Sequence, residues 1–94
     1  MKNKVFKFYS DAGHGWLAVK RAYLEQLDIL SQISSYSYQR GATVYLEEDC
    51  DMSTFFHAYK SKFGERPKTE DVVTNVWTDR SPIRSYDSFN RMGY

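Results

Sequence analysis

Hydrophobic and polar positions alternate in some stretches of this chain and recur at helical spacing in others. Residues 4–10, KVFKFYS, put Phe6 and Phe8 on one side and Val5, Lys7 and Tyr9 on the other, which predicts a half-buried strand. Residues 11–15, DAGHG, form a turn, and 16–20, WLAVK, predict a second strand that returns as a hairpin. In residues 21–30, Tyr23, Leu24, Leu27 and Leu30 keep helical spacing, with a stop near Asp28. Residues 31–41 are irregular, with a brief extended piece at 36–38. Residues 42–48 predict a third strand, with Val44 and Leu46 on one side and Thr43, Tyr45 and Glu47 on the other.

The clearest stripe joins Met52, Phe55, Phe56, Tyr59 and Phe63 and predicts a helix over 52–63. Lys60 and Lys62 suit its C-terminal dipole, Gly64 its stop, and Pro67 follows. Residues 71–78, rich in β-branched side chains, predict a fourth strand. These elements give an α+β domain of order ββαβαβ: a mostly antiparallel sheet of about four strands with two helices on one face. Residues 1–94 make one domain, with a loop-rich tail at 79–94.

Charge changes the picture by exclusion. The formal net charge of +1 lacks the basic excess of a dedicated nucleic-acid binder. One cysteine permits no internal disulfide and suits a reducing cytosol. The N-terminal residues carry no apolar signal-peptide core, and no apolar run is long enough to span a membrane. The expected location is cytoplasmic. Aromatics reach 17%, eight of them tyrosines, a composition that serves a small core and a binding surface equally well.

The segment YLEEDCDMSTFF sets four acids around Cys50. Acids ahead of an apolar helical stripe fit a helix N-terminus, with Asp51 as the N-cap and Glu48 and Asp49 adding favourable charge. A metal site would use Glu47 and Asp49, but the spacing lacks the EF-hand pattern, and zinc asks for more than Cys50, His14 and His57. A thiolate at Cys50 is opposed by the carboxylates, so Cys50 reads as buried and inert. His57, off the apolar stripe, reads as a solvated histidine. No cofactor or metal is assigned.

The loop SDAGHGW offers His14, with Asp11, as a base or ligand; its plainer role is a glycine-dependent turn that buries Trp16. The loops SSYSYQRG and TDRSPIRSYDSF concentrate Ser, Tyr and Arg, the residue types of binding surfaces. Tyr36, Tyr38, Arg40, Arg80, Arg84 and Tyr86 are the candidate binding residues, with Asp11, His14, Glu47 and Asp49 as secondary candidates. The same aromatics and arginines could stack on bases and contact phosphates. A plainer reading has these loops cover the sheet, with Arg84–Asp87 and Asp79–Arg80 as local ion pairs.

Together, YSDAGHGWL, ISSYSYQRG, VYLEEDCDMSTF and TDRSPIRSYDSF resemble a small protein family of bacteriophage and mobile-element genomes, over residues 5–89. The resemblance implies an accessory protein in a bacterial host cytoplasm. Such proteins often bind and disable a host protein, including defence nucleases of the restriction type and CRISPR complexes. The expected function is therefore stoichiometric binding to a host protein or complex, with catalytic activity left open. The alternatives are a nucleic-acid-binding module, and a small enzyme or metal-binding protein centred on His14 and the acids at 47–51. An exposed sheet edge would also permit a homodimer.

Overall fold

β1 (Val5–Ser10) and β2 (Gly15–Lys20) form the expected antiparallel hairpin. The computed structural model describes residues 4–72 and 82–90. α1 (Arg21–Gln26) follows β2 without a break. It stops beside Asp28, as expected: Asp28 turns left-handed at φ 58° while Leu27 and Ile29 donate back to Tyr23 and Leu24. Asp is among the few residues that tolerate this region. A 3-10 turn at Leu30–Gln32 leads to β3 (Tyr38–Arg40), two residues beyond the extended piece expected at 36–38. β4 (Thr43–Glu47) pairs antiparallel with both β2 and β3.

α2 (Met52–Phe63) matches its hydrophobic stripe end to end. Gly64 closes it at φ 79°, with its N–H donating to the Lys60 carbonyl at 2.8 Å. β5 (Lys68–Asp71) then pairs parallel with β1. A second 3-10 turn at Pro82–Ser85 and β6 (Asp87–Ser88), paired with β3, complete the described chain.

Among the described residues the sheet is therefore six-stranded and mixed, in the order β5-β1-β2-β4-β3-β6, where four mostly antiparallel strands in the order ββαβαβ were expected. β5 occupies KTED, whose four residues are all exposed, so no apolar pattern marks it. Of the strand expected at 71–78, residues 73–78 lie outside the described residues.

Strand alternation separates two faces of the sheet. Phe6, Leu17, Val19, Val44 and Leu46 point into the core, where Leu24 of α1 and Phe55 and Tyr59 of α2 meet them. Phe6 takes three edge-on aromatic contacts there, with Tyr23, Phe55 and Tyr59 at 5.2–5.9 Å between centroids. The opposite face carries Tyr9, Trp16, Tyr38, Arg40, Tyr45 and Glu47 at register positions facing one another. No described helix covers it. Part of it is crossed by the segment around Arg84 and Tyr86, which is anchored by buried Ile83 and Phe89. No helix among the described residues is long and apolar enough to cross a membrane.

Candidate functional site

The acids at 47–51 divide by direction. Asp51 is 3% exposed and turns inward. It occupies the N-cap position of α2, as expected, but its side chain makes no capping bond there. Its carboxylate instead accepts the backbone N–H of Ser34 at 3.0 Å and the hydroxyls of Ser34 and Ser37 at 2.7 and 2.5 Å. Ser37 Oγ in turn accepts the Glu47 N–H at 2.9 Å, which ties the end of β4 to the 34–37 turn. These bonds leave neither of the two serine hydroxyls orphaned.

Glu47 faces the helix-free side, directly opposite Trp16 in the β2–β4 register. Its Oε1 accepts the Asp49 N–H at 3.0 Å, and its Oε2 lies 3.3 Å from His14 Nδ1. The glycine loop and the acidic segment, 33 residues apart, therefore meet. The Glu47 side chain is 9% exposed and that of His14 47%, so the pair sits at the mouth of a depression and not inside the core.

That depression is a cleft of about 320 Å³. Trp16, Tyr36 and Tyr38 supply aromatic lining; His14, Glu47 and Asp49 bring the polar groups; Cys50 and Arg84 complete it. Trp16 meets Tyr38 edge-on at 6.2 Å and His14 at 6.0 Å. Arg84 lies over the Trp16 ring at 5.7 Å. Its guanidinium makes two bonds to Asp11, at 2.7 and 2.9 Å, and these hydrogen bonds raise its pKa and keep it charged. The Asp11 side chain is fully buried. Asp11 Oδ1 also accepts the N–H groups of Gly13 and His14, so it shapes the turn that presents His14. Asp11 thus pairs with Arg84 rather than with the His14 ring, and Arg84 does not pair with Asp87 as a local bridge.

Cys50 is exposed, not buried as expected. Local crowding first, then Glu47, Asp51 and Asp49, raise its thiol pKa, so it remains protonated at neutral pH. This opposes an activated nucleophile. His57 is exposed on α2, as the stripe implies.

Of the candidate binding residues, Tyr36, Tyr38 and Arg84 line the cleft together with His14, Glu47 and Asp49 from the secondary set. Arg40 and Tyr86 lie beside it and satisfy one another, through a 3.2 Å hydrogen bond and a cation–π contact at 5.1 Å. Tyr86 packs on Tyr45 and Tyr45 on Tyr9, making an aromatic row across the sheet. Burial first, then Tyr86 and Tyr9, raise the Tyr45 pKa. Arg80 lies outside the described residues. Trp16 and Cys50 in the cleft, and Tyr45 beside it, are the participants that sequence reasoning did not select. The alternation of residues 43–47 already placed Tyr45 beside Glu47, whereas nothing local marks Trp16 as a cleft residue.

A second depression lies on the same face, lined by Lys4, Lys7 and Lys20 around Val5, Tyr9 and Ala18. One end of the face is thus acidic and aromatic, the other basic. In comparisons with known proteins, the chain matches no family model, and no curated protein and no solved structure shows detectable similarity to it.

Proposed function

We propose that this chain is a small phage-type accessory protein that binds a host protein stoichiometrically in the bacterial cytoplasm, using the helix-free face of its sheet. The observation that carries the reading is the gathering of Tyr36, Tyr38 and Arg84, from two segments distant in sequence, around one open cleft. Tyr36 stands 71% exposed at its rim, a large aromatic side chain left to solvent by the fold. Aromatic and arginine side chains are the types that dominate binding energy at interfaces. The resemblance to phage accessory proteins supports a target in a host defence system of the CRISPR or restriction type.

The test is capture from bacterial lysate with the wild-type chain and with Tyr36→Asp, which leaves the core untouched. A single host protein held at a stoichiometric level by the wild type and lost by Y36D, with unchanged unfolding, is the expected result. Equal capture by both would remove this surface from the reading.

A second reading has one observation in its favour. The three lysines of the second depression, beside Tyr9, suit a nucleic-acid backbone and an adjacent base. Capture of nucleic acid in place of protein, with affinity falling steeply as salt rises, would transfer the assignment to it.

A further inference from the structure

We propose that His14, Glu47 and Asp49 bind a divalent transition-metal ion of the Zn²⁺ type within the cleft. Each offers one ligand atom, and the three atoms lie within 4.8 Å of one another. Two donors at about 2.0–2.1 Å from a tetrahedral ion stand roughly 3.4 Å apart. His14 Nδ1 and Glu47 Oε2 are already 3.3 Å apart. Closing the triad requires only a small movement of Asp49, which is exposed.

Two of the donors, His14 and Glu47, are also held in place. The Asp49 N–H occupies Glu47 Oε1, which leaves Oε2 directed at His14. Asp11 accepts the His14 N–H and is itself fixed by two bonds from Arg84. Such outer contacts orient ligands and tune affinity.

A second, independent observation concerns Trp16, which lines the same cleft and is 1% exposed. Its indole N–H has no acceptor among the described residues. A metal-bound water or anion in the cleft would supply one. One imidazole with two carboxylates favours a borderline ion such as Zn²⁺ over Ca²⁺ or Mg²⁺, which prefer oxygen alone. Three protein ligands leave a coordination position open toward the cleft.

The site does not depend on the partner reading, and its test uses the metal alone. The untagged full chain is titrated with ZnCl₂ by calorimetry and by ¹H–¹⁵N NMR. One ion per chain is expected, with shifts at the amides of residues 14, 47 and 49 and at the Trp16 indole N–H. D49N and E47Q should each weaken binding by about tenfold or more. H57A should bind as the wild type does. Absence of stoichiometric binding would overturn the proposal. So would loss of binding in H57A with retention in D49N, since the ion would then sit elsewhere.

Discussion

Asp51 holds three donors from the 34–37 turn although its sequence position suggests a helix cap. Asp51→Ala strands those donors in a buried setting. The expected loss is about 3 kcal/mol, read from urea unfolding. Ser37→Ala removes one donor and should cost less. Gly15 is constrained differently: a Cβ there would run into the Phe8 ring and crowd the Glu48 carboxylate. Gly15→Ala should therefore destabilise by about 1–3 kcal/mol, with a lower urea midpoint as its signature. At Cys50, the raised pKa means that alkylation by iodoacetamide should set in at higher pH than for a free thiol. E47Q should move that onset down by removing one of the charges that oppose the thiolate. Neither Asp51's partners nor the exposure of Cys50 is legible locally. Ser34 and Ser37 lie 17 and 14 residues away, and only the return of the chain brings them under the acidic segment.

At the level of elements, α2 was the most readable piece. Five large side chains on one stripe, a glycine at its end and two lysines in its last turn all point to the same helix. Phe55 is its centre, fully buried against Phe6. Phe55→Ala should cost about 3–5 kcal/mol in the same unfolding measurement, whereas exposed His57→Ala should cost almost nothing. The edge strands were unreadable for a physical reason. β5 is four exposed polar residues and β6 only two residues long, so neither has an apolar side to repeat. Short or charged edge strands also discourage pairing with another chain, which weighs against edge-to-edge dimers.

Across the whole molecule, the two faces of the sheet do different work. One is sealed by α1 and α2; the other gathers Tyr9, Tyr38, Tyr45 and Tyr86. Tyr45 and, on the sealed side, Tyr59 have pKa values raised above the ordinary 10.0, chiefly by burial. Their contribution to stability is complete below pH 10 and is lost as pH rises through the folded-state values. Thermal unfolding should therefore turn downward in alkali, and Y45F with Y59F should flatten that decline. The cleft on the open side was legible as ingredients, since most of its residues stood out by type, but its assembly was not, because the contacts run between loops far apart in sequence.

The Arg84–Asp11 bridge spans 73 residues. It gives the protein an order of completion on the ribosome. The hairpin, α1 and the next two strands can assemble as they emerge, but both edge strands and the arginine over Trp16 arrive only after α2. A nascent or prematurely terminated chain would carry a folded framework with an unfinished cleft. Completion of the cleft is thereby coupled to synthesis through residue 84, so a fragment ending before residue 82 should leave Trp16 open to fluorescence quenchers that the 94-residue chain excludes.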